Sequence, residues 1–326
     1  MAAEISLGTD ATRRRGLERI VRQLLERLQV GNGEAVEAVG HRVVHGGTNF
    51  RSAVKVDERV LKGIEALAEF APLHNRVAAE GIRAARAALP KVPQVAAFDT
   101  AFHATLSEEQ FIYPVPYRWL RDYGIRRFGF HGLSVEWSMG KAAEELGRAV
   151  DQLALVVAHL GSGCSVTAVL NGRSVATSMG LTPMEGLMMG TRSGSIDPGI
   201  LLYLLRTRQF GWRELEQQLD HESGFVGVSG RRAGMRELEK AAAAGDRRAK
   251  LAIDMFIARA AAGIAAIATT LPRIDALVFT GGIGEHSRLV RDGILSRLST
   301  LGQVRALRIE AREDAVIARQ TARLLQ

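Results

Sequence analysis

A single cysteine, Cys164, stands in a chain of 326 residues, so no disulfide can form within it, and a reducing cytoplasm is the expected setting. The longest apolar tract, residues 260–271, falls short of the roughly 20 residues that a bilayer span requires. Asp254 and Arg259 just ahead of that tract favour a buried helix instead. The opening MAAEISLGTD holds an acid at Glu4 and no apolar run, so no secretory leader is expected there. The chain has no GxxxxGK[ST] phosphate loop, and neither of its strand-ending glycine turns supplies GxGxxG with the acidic residue expected later. The formal net charge is +8, yet 43 cations are interleaved with 35 acids, with small clusters such as those at 13–15, 126–127 and 231–232. With no nucleic-acid motif beside it, that balance suits anionic metabolites; neither nucleic acid nor membrane is expected as a partner.

What is present is a long chain, 47% hydrophobic and 24% charged, able to bury the cores of two domains. Residues 12–28 carry an amphipathic helix ended by the glycines of 31–33. A short strand over 35–44 runs into His45-Gly46-Gly47. Helices follow at 58–70 and 76–89, separated by a turn at APLHN, and an apolar strand over 92–98 ends at Asp99. A helix starts at Ser134 and runs to about Gly147. From Leu153 the pattern changes to strands joined by a glycine turn at 161–163 and by Asn171-Gly172, a hairpin signal. Helices are expected over 198–208, 212–219, 236–244, 247–271, 289–298 and 311–325, with a glycine-rich loop at 224–234 and a buried strand at 276–280. The class is α/β.

Several segments could carry chemistry. Residues 179–199, MGLTPMEGLMMGTRSGSIDPG, fit neither the helical nor the strand period. Their only cation, Arg192, is either an anion hook or the partner of Asp197. His159-Leu160-Gly161-Ser162-Gly163 ends one apolar strand and GGIGEHS ends another. Each is either a structural turn or a place where backbone N–H groups approach a phosphate. Asp99 is a cap or a catalytic carboxylate at a sheet edge. His131, between phenylalanines and glycines, suits a structural role at least as well as a functional one. Strand alternation puts His41, Val43 and His45 on one face and Arg42 and Val44 on the other, and a metal on His41 and His45 lacks a third ligand in reach.

The order and content of these segments resemble the acetate kinase (acetokinase) family. The strings that carry the resemblance are GHRVVHGG at 40–47, APLHN at 71–75, FDTAFH at 98–103, YGIRRFGFHG at 123–132 and HLGSGCS at 159–165. TPMEGLMMGTRSG at 182–194, IDPG at 196–199, FTGGIGE at 279–285 and IAR at 317–319 complete them. The resemblance implies a duplicated actin-like ATPase (ribonuclease H-like) fold, with two domains around a nucleotide cleft. It implies reversible phosphoryl transfer from ATP to acetate, or to propionate, with Mg²⁺ or Mn²⁺, in a homodimer formed through the carboxy-terminal domain. Asp99, His131 and Arg192 resemble the family's catalytic residues, and Arg42 its second active-site arginine. Val44, Leu73, Phe130 and Pro183 would form the pocket for the substrate methyl group. The nucleotide would contact His159, Leu160, Gly161, Ser162 and Gly163, then Gly234, Met235 and Arg236, then Gly282, Ile283, Gly284, Glu285 and His286. Glu313 resembles the family's metal-linked glutamate.

The sequence also departs from the family's pattern. The strand with an Asn-x-Gly-Ser-Ser-Ser-type loop and a lysine with which the family opens has no counterpart, and SLGT at 6–9 lies too close to the first helix to replace it. A truncated amino-terminal domain over 1–150 is therefore expected, followed by a nucleotide-binding and dimerisation domain over 151–310. The helix over 311–326 returns to the first domain. Ser162 stands where the family has asparagine, and Gly234 where it commonly has an acid. The shortened stretch over 299–311 implies a reduced strand. A relative that binds nucleotide or a partner without catalysis is the alternative these departures raise.

Overall fold

The computed structural model describes residues 36–326 and, ahead of them, only Gly16, Arg19, Ile20, Val21 and Gln23. The helix expected over 12–28 lies for the most part outside the described residues, and SLGT at 6–9 wholly so. In chain order the first elements are β1 (Val39–Val43), β2 (Val54–Lys55), α1 (Glu58–Ala66), α2 (Pro72–Ala88) and β3 (Gln94–Phe98). Next come α3 (Glu108–Phe111), α4 (Arg118–Tyr123), α5 (Gly132–Leu146), β4 (Ala154–Leu160), β5 (Cys164–Leu170) and β6 (Arg173–Thr177). Then follow α6 (Pro198–Arg206), α7 (Trp212–His221), α8 (Gly224–Ser229), α9 (Met235–Ala243) and α10 (Arg247–Ala268). The chain finishes with β7 (Ala276–Thr280), α11 (Gly281–His286), α12 (Arg288–Arg297), β8 (Ala306–Arg308) and α13 (Glu313–Leu325).

The chain divides into two compact units, Met1–Ala104 with Arg312–Gln326, and Thr105–Ala311. In the first, the strand order is β1-β3-β2, with β1 parallel and β2 antiparallel to β3. Every residue of β3 is buried, as befits a central strand covered on both faces. Val43, Leu61, Ile64, Ile82 and Phe98 form the core, and Phe50 stacks flat on Phe98 with ring centroids 4.7 Å apart. APLHN, expected as a turn, instead opens α2: Pro72 sits in the first helical turn, where its missing N–H costs nothing. Asn75 is buried there and its amide clamps the backbone of His45, accepting from His45 N at 3.0 Å and donating to His45 O at 2.9 Å.

The second unit is a five-stranded sheet in the order β6-β5-β4-β7-β8. β4 pairs antiparallel with β5 and parallel with β7, and the expected type of hairpin follows, with Asn171 and Gly172 both at positive φ. One face of the sheet carries α10, which packs on β4 and β5, and α5 packs on β4 and β7. Asp246 caps α10 by accepting from Arg248 N at 2.9 Å and Ala249 N at 3.0 Å. The helix stops at Ala268 rather than 271, because Thr269 and Thr270 turn their hydroxyls back to the Ala266 and Ile267 carbonyls ahead of Pro272. Among the described helices α10 alone is long and apolar enough to cross a membrane, by length and composition only. Its buried face, from Ala249 to Ala268, packs against α8, α9, α12 and the sheet, as in a core helix.

Two further differences have local causes. The glycine-rich stretch at 224–234 contains α8, which a glycine-based reading takes for loop. Gly224 is required at its start because a side chain would strike the Met189 carbonyl. GGIGEH is itself the helix α11, entered directly from β7 through Gly281 at φ 75°. The reduced strand expected within 299–311 is present as β8, three residues long.

Candidate active site

In the first unit the chemistry gathers where β1 and β3 end. Their parallel register sets Val43 opposite Phe98, and Asp99 N donates to Val43 O at 3.0 Å, which brings the preceding Arg42 beside Asp99. Arg42 Nε lies 3.0 Å from Asp99 Oδ1 and Nη2 2.7 Å from Oδ2, a two-pronged pair. The remaining Nη1 meets Glu313 Oε2 at 2.7 Å, at the start of α13. Burial works against the Arg42 charge, but the Asp99 and Glu313 carboxylates outweigh it and raise its pKa above the ordinary guanidinium value. Asp99 is 1% exposed, so its oxygens are shielded from water and meet this guanidinium instead. Val44 is half-buried, and Leu73 lies in the first turn of α2 with its side chain outside the described set. His41 is turned to Gln94 at 2.6 Å and held neutral by burial. Among the described residues no group of three His, Cys, Asp or Glu side chains is placed to hold a metal.

In the second unit the two glycine turns lie side by side because β4 and β7 are parallel neighbours, with His159 opposite Thr280. A Cβ on Gly281 would sit 2.9 Å from Leu160 O. This is where strand order reverses about β4, the place at which α/β sheets bind ligands beyond their strand ends. Gly161 N donates to Gly163 O, closing the turn. A Cβ on Gly163 would lie 2.8 Å from Arg192 Nη2 and 3.2 Å from His131 Nε2, so turn, arginine and histidine converge. His131 caps α5 in the left-handed region, at φ 59°, a conformation that costs energy and concentrates at functional sites. Its Nδ1 is 3.0 Å from Ser165 Oγ, and its ring stacks on His159 at 4.1 Å, whose Nδ1 is 2.8 Å from Ser134 Oγ. Arg192 turns to Pro183, donating from Nη1 to its carbonyl, while Asp197 caps α6 through Gly199 N. Burial lowers the Arg192 pKa, partly offset by Cys164 and Asp220. Phe130 is buried and Pro183 half-buried.

Beside these groups opens a cavity of about 860 Å³ within the same unit. Its wall takes in Gly161 and Ser162, Gly234, Met235 and Arg236, and Gly282, Ile283 and His286. The volume suits a nucleotide-sized molecule. His159, Leu160, Gly163, Gly284 and Glu285 are not among the residues that line it. Leu160 is core, and Glu285 Oε1 accepts from Ala311 N at 3.0 Å.

The sequence matches the model of the acetokinase family over residues 3–325. The chain belongs to the acetokinase family. It is 52% identical over 273 residues to the acetate kinase of Deinococcus radiodurans, covering 84% of this chain and 69% of that one. With the acetate kinase of Gloeobacter violaceus it shares 46% identity over 314 residues, 89% of this chain and 77% of the relative. Among solved structures, a propionate kinase from Francisella tularensis superposes with a TM-score of 0.90 at 39% identity, covering 95% of this chain and 84% of that one. The acetate kinase of Porphyromonas gingivalis does so with 0.89 at 34% identity, over 95% and 85% of the two chains. The fold is therefore the actin-like ATPase architecture of the acetokinases, as the motifs imply.

The sequence reading missed several residues that the folded acetokinase chain brings to these groups. Ser134 and Ser165 orient the stacked histidines, and Glu239, Ser287 and Arg232 line the cavity, with Ser287 Oγ donating to Glu239 Oε1. Ser165 belongs to HLGSGCS and was within reach of the motif. Glu239 carried no local signal, since it lies on an ordinary amphipathic helix.

Proposed function

We propose that this protein transfers a phosphoryl group reversibly from ATP to acetate or propionate, giving the acyl phosphate and ADP. It is a phosphotransferase of the acetokinase family with a carboxyl group as acceptor. The observation that carries the assignment of roles is the convergence of Arg192 and His131 on Gly163 in the turn after β4. In the forward direction a carboxylate oxygen forms a bond to the γ-phosphorus as the bond from that phosphorus to the bridging oxygen of ADP breaks. The nucleophile is already an anion, so no general base is needed, and catalysis reduces to positioning and charge stabilisation.

Arg192 and His131 are proposed to donate to the equatorial phosphoryl oxygens. The N–H groups of Gly161–Gly163 would meet the nucleotide phosphates, and the neighbouring cavity would hold the nucleoside. Arg42, fixed by Asp99, is the acceptor-binding arginine in this reading, with Val44, Leu73, Phe130 and Pro183 set aside for the acyl group. Glu313 would be the carboxylate that holds Mg²⁺ or Mn²⁺, hard cations that prefer oxygen, with Asp99 placed to organise the site. Bound with the nucleotide, that ion would neutralise charge on the phosphates. A cytoplasmic setting fits the lone, buried Cys164. A homodimer fits the exposed apolar residues of α6.

The test is acyl phosphate trapping with hydroxylamine, using purified protein, ATP, Mg²⁺ and acetate, with Arg192→Ala as control. The expected result is hydroxamate from the parent protein and a loss of about 10²–10³-fold in kcat for the variant, as for removal of one transition-state donor. Retained nucleotide binding with no hydroxamate from the parent protein would overturn the reading.

A further inference from the structure

Arg192 is held at one end by Pro183 O, and Pro183 lies on a loop with no regular secondary structure of its own. Something must therefore fix that backbone if the guanidinium is to stay beside Gly163. Two residues beyond Pro183, the Glu185 carboxylate is gripped from both sides. Arg127 Nη2 donates to Oε1 at 2.7 Å, and the Tyr113 hydroxyl donates to Oε2. The same two partners also seize the loop's backbone. Arg127 Nη1 donates to Ser178 O and Met179 O, both at 3.0 Å, and Leu181 N donates to Tyr113 Oη at 2.9 Å. Gly180 O accepts from Phe128 N at 3.0 Å, tying the strip before His131 to the strip before Pro183. The packing leaves no slack, because a Cβ on Gly180 would overlap both Glu185 Oε2 and Tyr113 Oη.

We infer that Glu185 is a positioning residue, which with Tyr113 and Arg127 sets the backbone that aims Arg192 at the phosphate turn. Its side chain and that of Arg127 are 32% and 18% exposed, enough shielding for the pair to be stronger than a surface bridge. Burial, together with the Glu185 charge, raises the Tyr113 pKa well above that of a free phenol, so the hydroxyl stays a donor at neutral pH. The cluster contributes no atom to the reacting groups. Its effect on the reaction passes through Arg192, and the inference rests on the role proposed for that residue.

A double-mutant cycle separates this from a merely structural tie. Glu185→Gln, Arg192→Ala and the double variant are compared by kcat, by KM for ATP and acetate, and by thermal unfolding. Glu185→Gln is expected to lower kcat about 10-fold with KM for ATP nearly unchanged, and to cost nothing further once Arg192 is alanine. Losses that multiply in the double variant, or a Glu185→Gln protein with unchanged kcat, would overturn the positioning role while leaving that of Arg192 intact. An Arg192→Ala protein with full activity would instead overturn the role of Arg192, and this inference with it. Should Glu185→Gln fail to fold, Tyr113→Phe removes a single hydroxyl from the same carboxylate and carries the same cycle with the same expected non-additivity.

Discussion

Glu313 reaches Arg42 because Gly40, two residues earlier on β1, has no side chain. A Cβ at that position would lie 2.5 Å from Ile317 Cγ2 and 2.7 Å from Thr321 Oγ1, both on α13. The terminal helix can therefore lie directly against β1 and β3, and its first residue meets the guanidinium at 2.7 Å. Gly40→Ala should push α13 outward, at about 1–3 kcal/mol for overpacking. Chemical denaturation should show that loss, and kcat should fall along with it as Arg42 loses its Glu313 partner. A variant as stable and as active as the parent would show that the helix can shift without consequence.

Removing Arg42 exposes the dependence of Asp99 on it. The carboxylate is almost fully buried while the guanidinium is partly open to solvent, so the charge left behind is the costly one. Arg42→Met should destabilise the fold by about 1–3 kcal/mol, the range for a buried polar group losing its partner. The double variant Arg42→Met/Asp99→Asn should recover part of that stability without recovering activity. Urea midpoints beside kcat/KM for acetate check both halves. Recovery of activity in the double variant would contradict the acceptor-binding role of Arg42.

How far such relationships could be read in advance depends on their range. The fully buried β3 shows as the short apolar run over 95–98, and Asn171-Gly172 announces its hairpin, because each signal is local. The pairing of Arg42 with Asp99 spans 57 positions and follows only from the parallel register of β1 and β3, which no local pattern specifies. Arg127 and Glu185 stand 58 apart, and Glu185 inside the TPMEG string looks like any loop acid until Tyr113 and Arg127 arrive on it. Glycine carries more than one meaning. It marks the tight turn at 161–163, yet hides the helices α8 and α11, which Gly224 and Gly281 open at positive φ. Pro72 misleads in the same way, since a proline in a helix's first turn has the same spelling as one in a turn.

Asp275 gives the second unit a defined acid limit. Burial pushes its carboxyl pKa up, but the Ala154 N–H together with Arg273 and Arg148 overrides this and brings it down to about 2, against an ordinary value of 3.8. The group therefore stabilises the fold fully above about pH 5, and that contribution disappears as pH falls from there through 2. By linkage it amounts to about 2 kcal/mol. Asp275→Asn should be less stable than the parent at pH 7, and the difference should narrow steadily towards pH 2. Equilibrium urea unfolding across that range measures it. A difference that stays constant with pH would place the destabilisation in packing rather than charge.

The helix α6 reads PGILLYLLR, and none of its residues is buried, so its apolar side chains face outward from the second unit. Leu202 is 68% exposed and Trp212, just beyond the helix, 60%, with Ile200, Tyr203 and Leu205 beside them. So many large apolar side chains exposed along one helix point to a contact. The helix carries no acid and only one cation, Arg206, so the surface suits an equally apolar partner, and a second copy of the same helix supplies one under two-fold symmetry. A central leucine in such a face behaves as an anchor. Leu202→Glu should weaken self-association by about 100-fold or more by placing two carboxylates across the axis. Sedimentation velocity at micromolar concentration should show a dimer for the parent protein and a monomer for the variant, with thermal stability of the variant fold checked alongside. A parent protein that sediments as a monomer would assign the α6 surface to some other partner.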